Sequence, residues 1–190
     1  MRSMLEKRAR AILEVDTRLM SVLHVAASMG WSDWMVFSGA VYQPILNHLT
    51  GRPAEYGLKD YDLAYFDASD LSYEAEDTVI RRVNVAMPET LRPLVETRNQ
   101  ARVHLWFEPK FGEPYSPLGS CSEALSRFVS PLFAIGVWLD AKGSLRMSAP
   151  FGLEDLFGLR LRPNPLRPVR NFNSAAQRVQ ERWPELRLEA

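Results

Sequence analysis

The sequence contains few of the residues that build disulfides or histidine-rich metal centres. Its 190 residues include one cysteine, Cys121, and three histidines that are far apart in the chain. A lone cysteine excludes an internal disulfide framework and a cysteine-rich zinc site. The fold must therefore be stabilised by its hydrophobic core, and hydrophobic residues are 46% of the chain, with five Trp and nine Phe.

Neither sign of charge is in excess, because Lys plus Arg and Asp plus Glu both total 23. No overall field therefore attracts the chain to nucleic acid or to an anionic membrane. Residues 1–16 carry charges between their apolar positions, which argues against a secretory signal, and no apolar run is long enough to span a bilayer. We expect a cytoplasmic protein with no membrane partner and no strong sign of nucleic-acid binding.

Helical and strand-like segments are interspersed along the chain, which predicts an α+β fold of the layered α/β type. The length predicts a single domain over 1–190, with N-terminal helices in 1–30 and a C-terminal extension in 160–190. Predicted strands lie at 34–37, 61–66, 95–97, 101–107, 133–139 and 145–147. Predicted helices follow Ser3 and Asp16, then lie at 40–49, 72–87, after Ser120 or Ser122, at 152–159, and after Ser174.

Two acids, Asp60 and Asp62, flank one residue at the start of the second predicted strand. Side chains at i and i+2 of a strand point to the same face, so we expect these carboxylates to converge. Two close carboxylates repel each other unless a cation lies between them. Mg²⁺ suits this position because it binds one or two carboxylates and completes its shell with water and substrate phosphates. A two-ion site of this kind would serve phosphoryl or nucleotidyl transfer.

The turn Ser38-Gly39 ends the first predicted strand and leads into a helix. Backbone amides at a helix start can bind phosphate, and a glycine allows close approach because it has no Cβ. The turn and the Asp-x-Asp strand therefore form one candidate site for a triphosphate and its metal.

This combination resembles the nucleotidyltransferase fold of the DNA polymerase β superfamily. More closely, the chain is similar to a bacterial group of small nucleotidyltransferase-like proteins, over about 34–165. The matching stretches are Asp60-Tyr61-Asp62-Leu63-Ala64-Tyr65-Phe66-Asp67, Arg98-Asn99-Gln100-Ala101-Arg102-Val103-His104-Leu105-Trp106, Ala149-Pro150-Phe151-Gly152-Leu153-Glu154-Asp155-Leu156-Phe157 and Arg162-Pro163-Asn164-Pro165.

The resemblance implies a mixed β-sheet flanked by helices and a Mg²⁺-dependent enzyme. Such an enzyme transfers a nucleoside monophosphate from an NTP substrate to an acceptor, here unknown, and releases pyrophosphate. It implies Asp60 and Asp62 as metal ligands and catalytic residues. By position it suggests Glu96 as a third catalytic carboxylate, with Glu108 a weaker candidate.

Candidate nucleotide-binding residues surround these acids. They are Ser38 and Gly39 in the turn, then the polar cluster Arg98, Asn99, Gln100 and Arg102. The cluster can contact phosphate or base, since Arg grips phosphate with two donors, or it can be a turn with surface charge. The C-terminal third is locally basic. This basic segment either faces solvent or receives an anionic substrate. Its arginines are Arg160, Arg162, Arg167 and Arg170.

One departure from the resembled group keeps a second function open. Where that group tends to carry Arg-Asn after the glycine turn, this chain has Tyr42-Gln43 followed by Pro44. The alternative is a catalytically inactive nucleotide-sensing or protein-binding module on the same fold. A phosphohydrolase that uses the Asp-x-Asp acids ranks last, because Leu63-Ala64-Tyr65 follows Asp62 where aspartyl-nucleophile enzymes usually have Thr or Val.

Overall fold

A computed structural model describes residues 2–166 and 170–189 of the chain. The helices are α1 (Arg2–Leu13), α2 (Thr17–Ser28), α3 (Gly39–Thr50), α4 (Tyr73–Ala86), α5 (Val103–Phe111), α6 (Cys121–Ser126), α7 (Glu154–Phe157) and α8 (Phe172–Gln180). The strands are β1 (Trp34–Phe37), β2 (Tyr61–Tyr65), β3 (Val95–Asn99), β4 (Gly136–Leu139), β5 (Leu145–Ser148), β6 (Arg160–Leu161) and β7 (Arg187–Leu188). The predicted α+β class is confirmed by this arrangement.

Five strands form one mixed sheet in the order β3-β2-β1-β4-β5. The β2–β3 pair is parallel, and the other neighbours are antiparallel. Helix α4 connects the parallel pair, as a parallel connection requires a crossover. β6 and β7 form a separate two-stranded parallel ladder near the chain's end.

One face of the sheet is covered by helices and forms the main core. Alternate strand residues such as Val36, Leu63 and Val137 point into this face and are fully or almost fully buried. Helices α2, α3 and α4 pack against the strands, and α1 packs outside them on α3 and α7. Leu13 of α1 and Trp183, just after α8, belong to the same buried cluster. Both terminal segments therefore share the core of the sheet.

Local signals in the sequence explain the bounds of several elements. Asp16 caps α2 by accepting hydrogen bonds from the backbone N–H groups of Arg18 and Leu19, both at 3.0 Å. Gly51 ends α3 in the left-handed conformation that glycine adopts without steric cost. α3 begins at Gly39 and continues through Pro44, so the proline does not mark its start.

The predicted strand at 101–107 is wrong, because these residues form a 3-10 turn, Gln100–Arg102, and the start of α5. Asn99 caps this turn by accepting a hydrogen bond from the Ala101 N–H at 3.1 Å. Val103, Trp106 and Phe107 follow at helical i, i+3, i+4 spacing, which competes with the alternating pattern in the same segment. The last helix begins at Phe172, with Asn171 as its N-cap, and so starts before the predicted cap Ser174.

The buried amide of Asn47 ties the C-terminal segment to the loop that precedes β2. Its Nδ2 donates to the backbone carbonyls of Ala54 and Tyr56, each at 2.9 Å, and its Oδ1 accepts from Trp183 Nε1 at 2.9 Å. Asn47 and Trp183 are both fully buried. The entry to β2, and with it Asp60 and Asp62, is therefore held from the opposite end of the chain.

No helix among the residues described here is long and apolar enough to cross a membrane.

Replacing Trp183 with Phe should test this tie. The Phe side chain still fills part of the core but leaves the Asn47 carbonyl oxygen buried without its donor. Losing such a partner costs about 1–3 kcal/mol. We expect the free energy of unfolding, measured by urea titration, to fall by at least that amount.

Trp31→Phe is the matched control, because it retains a ring to stack on Tyr65. Equal losses in the two variants would contradict a specific role for the Asn47 hydrogen bond.

Candidate active site

The face of the sheet opposite the main core carries the carboxylates. Asp62 pairs across the sheet with Phe37 on β1 and with Glu96 on β3. Because these residues are in register, their side chains point to the same face, together with Met35 and Ala64, two apolar members of a smaller cluster. The sheet therefore places Asp62 directly beside the end of β1 and next to Glu96.

The turn after β1 is strained at Ser38. Its φ of 63° and ψ of −136° lie in a region that non-glycine residues rarely adopt. Its carbonyl accepts hydrogen bonds from the N–H groups of Val41 (3.0 Å) and Tyr42 (3.1 Å), which start α3. Its side chain does not cap α3, and it lowers the pKa of Asp62 on the neighbouring strand. The strained turn thus places the helix start beside a carboxylate on the neighbouring strand.

Gly39 gives room to a side chain of its own helix. A Cβ at position 39 would lie 2.8 Å from Nε2 of Gln43. Gln43 is buried, and its Nε2 lies 3.4 Å from the Tyr42 hydroxyl. The close approach that glycine permits is therefore used by Gln43.

Asp62 is half-buried among like charges. Burial, followed by the negative charges of Asp60 and Glu96, raises the pKa of Asp62 to about 6. The Ser38 side chain and the positive charge of Arg98 act in the opposite direction but do not compensate. The ionised form of Asp62 is therefore poorly neutralised, which is the condition in which a carboxylate gains most from binding a cation.

Asp60 lies one residue before β2 and is near enough to Asp62 to raise its pKa. Within the described ranges, no three His, Cys, Asp or Glu side chains form a group that could hold a metal ion by themselves. The donor set still fits Mg²⁺, which needs only one or two protein carboxylates when water and phosphate oxygens complete its shell. Zn²⁺ sites, by contrast, take three or four protein ligands, usually nitrogen or sulfur.

A cavity of ≈ 510 Å³ opens over this face of the sheet. Its size is within the range of small-molecule sites. Four of the residues that the sequence predicted for the site line it together with Ser38; they are Asp62, Glu96, Arg98 and Gln100. Gly39, Asp60, Asn99 and Arg102 are not among its lining residues. The structure therefore brings together five of the nine predicted site residues in one cavity.

Asn99 holds the backbone beyond β3. Its Nδ2 donates to the Asp67 carbonyl at 2.7 Å, and its Oδ1 accepts from the Asp67 N–H at 3.1 Å. Arg102 forms a buried ion pair with Glu76 of α4, which also accepts a hydrogen bond from the Asn99 N–H. These contacts join β3, α4 and the loop after β2, so both side chains already have structural partners.

The cavity also contains groups that the sequence did not assign to a site. α5 contributes Trp106, Phe107 and Phe111 to an aromatic wall, and α8 with the turn after it contributes Arg178 and Arg182. The helical spacing of the aromatic residues was a usable signal, but the alternating pattern hid it. For Arg178 and Arg182 no local signal exists, because only the tertiary fold brings α8 and the turn after it to the cavity.

Two of the four arginines that the sequence singled out near the C-terminus form ion pairs with one buried acid. Arg160 and Arg162 both pair with the buried Asp155, at 3.0 Å and 2.7 Å. Arg167 lies outside the described residues, and Arg170 is exposed.

Comparisons with known proteins agree with this geometry. A family model described as nucleotidyltransferase matches residues 24–188. A structure solved by NMR and described as a CCA-adding enzyme head domain is similar to the chain, with a TM-score of 0.76 and 22% sequence identity. The alignment covers 96% of this chain and 95% of that one. No curated protein gives a significant match.

The structural similarity shows the fold, and the family match shows the family. The match includes β1, Ser38, β2, β3, α5 and α8, all of which contribute to the lining of the cavity. The sequence-based assignment to nucleotidyltransferases is therefore confirmed, and the chain belongs to the nucleotidyltransferase family.

Proposed function

We propose that the protein is a Mg²⁺-dependent nucleotidyltransferase that moves a nucleoside monophosphate from an NTP to an acceptor and releases pyrophosphate. The observation that carries the proposal is the position of Asp62. It lies in register with Glu96, on the sheet face that forms a wall of the cavity, and Ser38 lines the same cavity.

In this proposal Asp60 and Asp62 hold the metal. When bound, Mg²⁺ neutralises phosphate charge and orients the triphosphate. The poorly neutralised charge of Asp62 favours this binding, because a cation relieves the repulsion from Asp60 and Glu96. Ser38 favours the ionised form of Asp62, because its side chain lowers the pKa of that carboxyl.

The other cavity residues have separate roles in the proposed reaction. Arg98 is 50% exposed and lies 3.8 Å from Glu96, so it can turn toward a phosphate, and Gln100 lies beside it. A hydroxyl or phosphate oxygen of the acceptor forms a bond to the α-phosphorus as the bond from that phosphorus to the bridging oxygen breaks. The electron pair leaves with pyrophosphate, and the acceptor proton passes to Glu96 or to water.

A non-catalytic nucleotide-binding module is the second candidate, and the start of α3 favours it. Tyr42 is buried against Phe133, with ring centroids 4.9 Å apart, and lines the cavity. It occupies the place after the glycine turn where the resembled group tends to carry an arginine that could bind phosphate. A module of this kind would bind nucleotide with Mg²⁺ and transfer nothing to any acceptor. Turnover measurements therefore separate the two candidates.

Asp62→Asn should abolish transfer while leaving the fold intact. The variant keeps the size of the side chain but removes the charge that would bind Mg²⁺, so we expect at least a 100-fold loss of rate, of the order seen when electrostatic stabilisation is lost. The measurement is incorporation of α-phosphate label from each of the four NTPs into protein, RNA and small-molecule acceptors. Asp77→Asn, which neutralises an acid on α4 outside the cavity lining, is the control. Equal activity of the parent and the Asp62 variant would refute the proposal.

The protonation of Asp62 should also appear in stability measurements without any substrate. Its folded pKa of about 6 is above the ordinary value of 3.8, so the folded state binds the proton more tightly than the unfolded state. The contribution of Asp62 to stability is therefore greatest below the unfolded pKa and is lost as pH rises through about 6, by at most about 3 kcal/mol. Urea unfolding of the parent and of Asp62→Asn between pH 4 and pH 7 should show this loss as a fall in the difference between their free energies of unfolding, since the contributions of the other carboxylates are common to both proteins.

Metal binding gives the complementary result at neutral pH. Mg²⁺ should raise the free energy of unfolding of the parent, because it binds only the folded site, and should leave Asp62→Asn unchanged. Transfer activity should rise with pH through about 6, as Asp62 becomes ionised. A parent protein with the pH and Mg²⁺ dependence of the Asn variant would show that Asp62 does not titrate as described.

A further inference from the structure

The wall of the cavity formed by the C-terminal segment carries a stripe of residues from one side of α8 and the turn after it. Ala175, Arg178, Val179 and Arg182 all line the cavity. Their i, i+3, i+4, i+7 spacing puts them on the same face, so two guanidinium groups stand one helical turn apart on this wall. The carboxylates Asp62 and Glu96 belong to the sheet side of the same cavity.

These two arginines differ from the other cavity arginines in their pairing. Arg98 has Glu96 as an ion-pair partner, and Arg127 has Glu123. For the part of the chain that the structure describes, neither Arg178 nor Arg182 forms an ion pair. Arg182 uses one guanidinium nitrogen to bind the Gly57 carbonyl at 3.3 Å, which fixes the direction of the group.

Arg182 and Asp62 line the same cavity as Tyr42. The positive charge of Arg182 lowers the pKa of the Tyr42 hydroxyl, whereas the negative charges of Asp62 and Asp60 raise it. Among the described residues, no ion pair joins Arg182 to Asp62, Asp60 or Glu96. A ligand that carries several negative charges along with a metal ion would therefore find both a cation and carboxylates in this cavity.

We propose that Arg178 and Arg182 bind the polyphosphate chain of a nucleoside triphosphate and make the site prefer triphosphate to monophosphate. The inference rests on the proposed function for the identity of the ligand. Guanidinium groups suit this task because each can donate two hydrogen bonds to phosphate oxygens and remains charged at every physiological pH. Two guanidiniums one turn apart can contact successive phosphates, whereas a single phosphate engages them only partly.

The test measures binding of sodium tripolyphosphate, pyrophosphate and orthophosphate by calorimetry, with and without Mg²⁺, at one fixed ionic strength. Tripolyphosphate removes the unknown base and acceptor from the question. Arg178→Gln and Arg182→Gln should each weaken tripolyphosphate binding about 10-fold or more, as expected for a lost hydrogen bond between charged groups. The affinity for orthophosphate should change less, and Arg182→Lys should recover part of the loss.

Arg187→Gln is the matched control. It removes the same charge from the same C-terminal segment, but Arg187 is outside the cavity lining and binds the Gly158 carbonyl. We expect a change in affinity below about 2-fold, because exposed charges act weakly through solvent. Arg178 is exposed, so Arg178→Gln should fold normally. Arg182→Gln loses the contact with the Gly57 carbonyl, and this loss could disturb its fold. Circular dichroism and urea unfolding check the fold of both variants.

The possible outcomes separate this inference from the proposed function. Undetectable binding of tripolyphosphate to the parent, or the same affinity in all three Gln variants, would overturn it. Asp62→Asn should retain arginine-dependent binding in the absence of Mg²⁺ while it loses transfer. A parent that binds tripolyphosphate through Arg178 and Arg182 but transfers nothing would refute the transferase proposal alone.

Discussion

The register of three adjacent strands is the constraint on which the candidate site depends. Phe37, Asp62 and Glu96 face the same side because β1, β2 and β3 pair residue by residue, and a slip of one position would turn Asp62 into the helix-covered core. That core fixes the register by burying the alternate residues, among them Val36 and Leu63. The packing that stabilises the protein therefore also directs its carboxylates into the cavity.

The arrangement leaves the protein with an electrostatic cost that a ligand can relieve. Asp62 is held near Asp60 and Glu96, and Ser38 adopts a strained backbone conformation beside it. Strain and unneutralised charge persist only where the surrounding structure holds them in place, and they are concentrated at functional sites. Here the surrounding structure includes Asn47 and Trp183, which connect the loop before β2 to the end of the chain. The same C-terminal segment carries Arg178 and Arg182, so one segment both supports the acids and faces them.

Much of the fold can be predicted from local patterns. The Asp16 cap and the Gly51 helix end are signals confined to a few residues, and the structure agrees with each. The segment 101–107 was mispredicted because its residues satisfy both a strand period and a helix period over a short window. There Asn99 and the Arg102–Glu76 pair decide in favour of the helix, and the pair depends on α4 packing beside β3.

The sequence by itself determined the fold class and the family, and it predicted the acids Asp62 and Glu96 that line the cavity. These depend on short-range spacing: a turn after a strand, two acids one residue apart, and characteristic segments. Only the tertiary structure decided which polar residues share the cavity with Asp62. In that structure Asn99 and Arg102 form internal contacts, and Arg182, from the other end of the chain, lies near enough to Tyr42 to lower its pKa. The physical reason is that contacts across more than a hundred residues depend on how the helices and the sheet pack, and no local pattern in the chain encodes that packing.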